Sequence, residues 1–382
     1  MREITEPPAA RINLNGGGIW ILILALAFTL GACRKKPEPA VEKPAPTSFL
    51  TIFALQHIRS TGFEAVVMKD FEQKHNSALT VVTFPDLPTL LDSLEFVDGK
   101  PNADLVIGLD SAFALSESIL EPFATVPEVS LSELDLEVPR DPQQRLIPYA
   151  TANLAFIYDS RLIPDTPRSF GELQDARFAD QLALCDPSTS GLGRSALLWS
   201  VALFGERGWE QLWNSYRKNV SQLSRDHFES LNAIRRGECS LMIGYNSVPA
   251  WINEFHPSES HIRAVIPEEG SFRHTEFAAL CSGAPNRATA LKFLDYLISV
   301  EAQQFVMFKL AMMPVNGRTP LPRDFARVPW SVFTVNDRLD KYQARQNIPA
   351  WLESWDSLIK SRPGLHEPEV PTNAGRMSRG AD

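Results

Sequence analysis

The residues able to do chemistry sit in short polar interruptions of apolar runs. "DPSTSGLGRSALLW" (Asp186 to Trp199) sets hydroxyls and two glycines directly ahead of an apolar helical run. A helix start of this kind offers backbone N–H groups and hydroxyls to an anion or to polar ligand atoms. It lacks the Lys and the spacing of a GxxxxGK(S/T) phosphate loop. Nor is it a GxSxG nucleophile elbow, because Ser188 stands where the first glycine belongs. Asp86 and Asp110 could imitate an acid/base pair, but helix capping and strand-end turns explain both more simply. The histidines form no HExxH, and "HPSESH" (His256 to His261) reads as a solvated loop before it reads as a metal site. No catalytic residue and no metal ligand is assigned, and the chain reads as a binder rather than an enzyme.

The elements that must position these residues alternate strand and helix. "FLTIFAL" (Phe49 to Leu55) and "ALTVVTF" (Ala78 to Phe84) read as buried strands. Between them, "TGFEAVVMKDFEQKH" places Phe63, Val66, Val67 and Phe71 on one helical face. "DLPTLLDSLEF" predicts a helix capped by Asp86 with Pro88 in its first turn. "ADLVIGLD" (Ala103 to Asp110) is a third strand and "LIPYATANLAFIYD" (Leu146 to Asp159) a longer one. A second series follows: strand "QLALCD", helices from Gly191, over "WEQLWNSYRKN" and over "HFESLNAIRRG", strand "SLMIGY" and helix "VPAWINEF". The pattern returns through "TEFAALC" and a long amphipathic helix, ending on "NDRLDKYQARQNIPAWLESWDSLIK", helical but interrupted at Pro349. Such alternation implies parallel βαβ units, and two series imply two α/β lobes. Asp86, Asp110, the Ser/Thr/Gly segment and Tyr245-Asn246-Ser247 all follow strands. Ligands of open α/β sheets bind beyond the carboxyl ends of the strands, so this placement marks a cleft.

Composition narrows the partners. With 382 residues, 44% hydrophobic and 22% charged, the chain can build one large or two medium cores. A formal net charge of -9 without a basic stripe argues against nucleic acid, since phosphate neutralisation needs clustered Lys and Arg. "IWILILALAFTL" (Ile19 to Leu30) would make about 18 Å of helix, too short for ~30 Å of hydrocarbon but right for a signal-peptide core. Leu30-Gly31-Ala32-Cys33 resembles a bacterial lipobox, whose cysteine is lipidated and becomes the new N-terminus. Residues 1–32 therefore read as a lipoprotein signal peptide and 33–48 as a Pro/Lys/Glu-rich tether to a membrane through Cys33. Residues 361–382 read as a disordered tail. Cys185, Cys239 and Cys281 show no CxxC spacing, and both buried thiols and a disulfide between two of them stay open.

On these segments the chain resembles the periplasmic solute-binding proteins of ABC importers, and most of all the thiamine-binding group of the iron/thiamine/polyamine type. The likeness rests on "NADLVIGLD" (Asn102 to Asp110), "PYATANLAFIYDSRLI" (Pro148 to Ile163), "DPSTSGLG", "IRRGECSLMIGYNSVPAW" (Ile234 to Trp251) and "RQNIPAWLESW" (Arg345 to Trp355). It implies an α/β, type-II periplasmic binding protein fold, two α/β lobes joined by hinge strands with a ligand cleft between them. Lobe 1 would hold 49–148 and 264–360 and lobe 2 149–263, with hinges around Tyr149–Ile157 and His261–Ile266. The implied ligand is thiamine or a thiamine phosphate. A monomeric, lipid-anchored periplasmic carrier without a cofactor would hand it to a permease in the inner membrane.

The same resemblance implies the contacts. Asp86 would meet the cation or the aminopyrimidine, with Leu87 beside it. Ser190 and Gly191 would receive the polar or phosphate end, and Tyr245 would stack on the rings, with His227, Asn246 and Ser247 completing the set. The chain departs at His227 and Ala311, where tryptophans are expected, and at Leu55, where a tyrosine is expected. Each aromatic contact to a cationic ring is worth ~0.5–2 kcal/mol. Either Trp251, Phe113 or His227 compensates, or the cleft takes another ligand. Ferric ion, a small anion or a polyamine on the same fold are the alternatives, and more remotely a secreted hydrolase using Ser190 or Asp86 and Asp110.

Overall fold

A computed structural model describes residues 45–111, 117–331 and 333–365. The signal peptide, Cys33 with most of the tether, Phe113 and the tail from residue 366 lie outside the described residues. The chain runs from β1 (Ser48–Leu55) through α1 (Gln56–Ser60) and α2 (Lys69–His75) to β2 (Ser77–Phe84) and α3 (Leu87–Asp92). A small hairpin of β3 (Phe96–Val97) and β4 (Lys100–Pro101) precedes β5 (Leu105–Asp110) and α4 (Glu117–Leu120). Next come β6 (Leu146–Asp159), β7 (Leu182–Cys185), α5 (Gly191–Tyr216), β8 (Val220–Ser224), α6 (His227–Arg236), β9 (Leu241–Tyr245), α7 (Val248–Phe255) and β10 (Ile262–Val265). It closes with β11 (Arg273–Leu280), α8 (Arg287–Leu297), α9 (Val300–Phe305), β12 (Met313–Pro314) and α10 (Lys341–Ile359).

The main sheet has the order β2-β1-β5-β11-β6-β9-β7-β8, with β10 and β12 also paired to β6. β6 therefore belongs to both halves. It pairs antiparallel with β11 from Leu146 to Asn153, and with β9 from Leu154 to Tyr158. On one side of it β1 runs parallel to β2 and β5, and on the other β7 runs parallel to β8 and β9. All 14 residues of β6 are buried, which explains its long apolar run. The polar residues in its middle are satisfied: Thr151 Oγ1 donates to the His274 carbonyl and the Asn153 N–H donates to Asn246 Oδ1.

Local signals set the helix boundaries. Asp86 caps α3 by accepting the Thr89 N–H at 2.8 Å, and Ser190 caps α5, its Oγ 3.4 Å from the Gly193 nitrogen. α5 is broken at Gly205, whose φ of 69° needs glycine, and this is why the segment reads as two helices in sequence. β8 carries Ser and Gln among its apolar residues and shows no clear period, so only its pairing on β7 reveals it as a strand. α10 runs on through Pro349 instead of breaking there.

α10 also sits elsewhere than the expected lobe division put it. It packs against α5, in the second half, through Trp355 on Trp213 (centroids 5.8 Å apart, interplanar angle 76°) and Lys360 to Asp186 at 2.8 Å. Trp213 and Trp355 are fully buried there. Cys185, Cys239 and Cys281 are buried free thiols, so no disulfide joins them. Burial pushes each thiol up to about 12, leaving them inert parts of the core.

Candidate functional site

A cleft of about 410 Å³ opens where the carboxyl ends of strands from both halves meet. β1 contributes Leu55, β2 leads to Asp86, and β5 ends on Asp110. Opposite them β7 leads to Asp186, β8 ends on Ser224 and β9 ends on Tyr245. The volume lies in the range of small-molecule sites.

Of the expected contacts, Asp86, Ser190, Gly191, His227 and Tyr245 line this cleft. Leu87, Asn246 and Ser247 do not. Leu87 is buried in an apolar cluster with Phe53, Leu55 and Leu90. Asn246 Nδ2 donates to the Pro329 carbonyl at 2.7 Å while its Oδ1 accepts from Asn153. Ser247 Oγ donates to the Ala311 carbonyl. Both side chains are engaged in joining β9 and α7 to neighbouring segments.

The loop before α5 bonds mainly to itself. The Ser188 N–H donates to Asp186 Oδ1 at 2.8 Å, and the N–H groups of Thr189 and Ser190 both donate to the Asp186 carbonyl. Lys360 holds the other oxygen of Asp186, and Ser188 Oγ donates to Asp356. The amides of Ser188, Thr189 and Ser190 are thus engaged within the fold. The two glycines answer to close packing. A Cβ on Gly191 would lie 2.8 Å from Asp110 Oδ2, and one on Gly193 would lie 2.5 Å from the Cys185 carbonyl oxygen.

Three rings stack at the cleft floor. His227 lies 4.5 Å from Tyr245 at 29°, and Tyr245 lies 5.5 Å from His274 at 24°. With 5% of its surface exposed, Tyr245 keeps little ring face for a ligand. Neither ring nitrogen of His227 has a hydrogen-bond partner among the described residues. Burial, then the neighbouring His274, lowers His227 to about 3, so the ring is neutral and can exchange hydrogen bonds with a bound molecule.

Glu276, from the middle of β11, is a hub that sequence reasoning did not single out; its signal is a carboxylate inside an otherwise buried strand. It accepts a hydrogen bond from the Tyr149 hydroxyl at 2.5 Å and pairs with His57 Nε2 at 3.1 Å. Burial works to raise its carboxyl, but the His57 charge and then the His274 contact hold it well below the usual carboxylate range. Burial lowers His57 in turn, and Glu276 more than offsets this, leaving the imidazole raised. Ser195 Oγ lies 2.8 Å from His274 Nδ1, and His274 Nε2 lies 3.7 Å from Glu276 Oε1. This Ser-His-Glu string is no hydrolytic relay: Ser195 is fully buried and does not line the cleft.

The charges of the cleft are unequal. Asp110 pairs with Arg194 at 2.6 Å, Asp186 with Lys360, and Glu276 with His57. Asp86 and Asp226 cap α3 and α6, accepting the N–H groups of Thr89 and Glu229, and neither has a salt-bridge partner among the described residues. Arg225, also in the lining, is taken by Glu229. The excess is negative, which favours a cation.

The family described as bacterial extracellular solute-binding protein matches residues 100–332. The chain is 26% identical over 296 residues to the thiamine-binding periplasmic protein of Haemophilus influenzae, covering 77% of this chain and 86% of that one. It is 25% identical over 323 residues to the thiamine-binding periplasmic protein of Escherichia coli, covering 84% and 95%. A solved periplasmic thiamin binding protein superposes with a TM-score of 0.72 at 24% identity, covering 81% of this chain and 96% of that one. The architecture is that of the type-II periplasmic binding proteins, two α/β lobes with a cleft between them.

Proposed function

Because the chain belongs to the bacterial extracellular solute-binding proteins, we propose that it captures thiamine or a thiamine phosphate in this cleft and delivers it to the permease of an ABC importer. The observation that carries the reading is the pairing of charge and rings. Asp86 and Asp226, two carboxylates with no salt-bridge partner among the described residues, share a cleft of about 410 Å³ with His227, whose ring nitrogens have no hydrogen-bond partner among those residues. A thiazolium supplies the missing positive charge, and an aminopyrimidine supplies donors and acceptors for His227. The thiamine-binding names of the relatives point the same way.

Capture needs no bond-making step. A ligand touching both lobes stabilises the closed arrangement by its differential affinity for it. β6, which changes partner between Asn153 and Leu154, is the natural hinge. The chain would work in the periplasm, held to a membrane by lipid on Cys33.

Thermal denaturation tests the ligand. Thiamine at a hundredfold excess over its Kd should stabilise the chain by about 2.7 kcal/mol. A cooperative melt unmoved by thiamine overturns the ligand assignment. Incorporation of labelled fatty acid, abolished by Cys33→Ala, tests the anchor.

A further inference from the structure

We infer that Phe228 is the aromatic wall of the cleft, the ring on which the ligand's cationic heterocycle rests; this rests on the thiamine reading and names a contact within it. Among the described residues, four aromatic rings line the cleft: His57, His227, Phe228 and Tyr245. Tyr245 already has His227 stacked on it at 4.5 Å and His274 at 5.5 Å. His227 is buried and spends a face on Tyr245. His57 is tied to Glu276, and burial lowers its imidazole less than Glu276 raises it. That ring holds a proton more readily, which repels a cation. Phe228 is left. It is half-buried, and no ring stacks parallel on it among the described residues. The remaining apolar lining, Leu55, Leu192, Leu223, Leu310 and Met312, has no π face to offer.

The fold fixes this ring in place. Asp226 caps α6 by accepting the Glu229 N–H at 2.9 Å, which sets Phe228 in the first turn, close behind the end of β8. Trp251, from α7, meets Phe228 in a T-shaped contact with centroids 5.3 Å apart at 67°, and His227 does so at 5.2 Å and 74°. The Trp251 indole N–H donates to the Phe308 carbonyl at 3.0 Å, so the support is itself anchored. Trp251 is not part of the cleft lining; its influence there runs through Phe228. A benzene ring attracts a cation over its face through its quadrupole. The carboxylates of Asp86 and Asp226 line the same cleft and favour the same charge.

Calorimetric titration of the full chain with thiamine tests the inference in two kinds of variant. Phe228→Leu keeps an apolar side chain and removes the π face; it should weaken thiamine binding by about two- to thirtyfold, the span of one cation–π contact. Replacing Phe228 by mono-, di- and trifluorinated phenylalanine keeps the ring and drains negative charge from its face. The Kd should then rise step by step with the number of fluorines, and this series decides the matter if Phe228→Leu fails to fold. A folded Phe228→Leu chain with unchanged Kd overturns the inference. So does a Kd that stays level across the fluorinated series, even where Phe228→Leu weakens binding, because the ring would then serve by shape alone. Both results leave the thiamine reading standing. If the unaltered chain binds no thiamine, that reading falls and the role of Phe228 falls with it.

Discussion

Arg194 Nη2 lies 2.6 Å from Asp110 Oδ2, and both side chains are buried. The pair ties the first turn of α5 to the end of β5, where Asp110 lines the cleft. Arg194 Nη1 also donates to the Pro187 carbonyl, which fixes the guanidinium against the loop before α5.

Removing one partner leaves the other charge buried. Arg194→Met should lower the free energy of unfolding by about 3–5 kcal/mol, read from urea denaturation. A loss below ~1 kcal/mol, the value for an exposed pair, would mean that solvent reaches this joint.

Gly193 has no room for a side chain, since its Cβ would lie 2.5 Å from the Cys185 carbonyl oxygen and 2.6 Å from the Asp186 carbonyl carbon. Both are backbone atoms and cannot swing aside. Gly193→Ala should cost about 1–3 kcal/mol despite the better helix propensity of alanine. A stabilised variant would contradict the close approach of α5 to the end of β7.

Two histidines impose opposite pH dependences on stability. His227 is lowered to about 3, so below about pH 6.5 the unfolded chain takes up a proton that the folded chain refuses. Its contribution is lost as pH falls from that point toward 3. His57 is raised, so its contribution is complete below about 6.5 and is lost as pH rises through the folded value. In urea titrations at several pH values, His227→Phe should flatten the acid limb and His57→Gln the alkaline limb. Crossed effects would contradict the assignment.

Ligand capture should depend on Asp86 and Asp226, which form no salt bridge among the described residues. Asp86→Asn and Asp226→Asn should each weaken thiamine binding by about tenfold and reduce its dependence on ionic strength, because the attraction they remove is screened by salt. Unchanged affinity in both would place the ligand away from α3 and α6.

Much of this was readable from sequence because it is local. Asp86 and Ser190 announce their capping roles within three residues of the amides they serve. Asp86, Asp110, Ser190 and Tyr245, which end or follow strands, do collect at one cleft, while Asn246 and Ser247 do not line it. Pairings across the chain left no such trace. His57 meets Glu276 across 219 positions, and nothing near either residue names the other. α10 reads as a helix, yet its seat on α5 depends on Trp355 finding Trp213. "DPSTSG" looks like a set of waiting amides until the structure shows Asp186 taking three of them. Tyr245 reads as an open stacking face until His227 and His274 are found beside it.

Direct titration of the purified chain with thiamine bears most closely on the central claim. We expect one molecule per chain, with a Kd at or below about 1 μM, or −8.2 kcal/mol, weakened in the doubly substituted Asp86→Asn/Asp226→Asn chain. A folded chain that gives no binding signal with thiamine at ~1 mM, where even about −4.1 kcal/mol would register, contradicts the account.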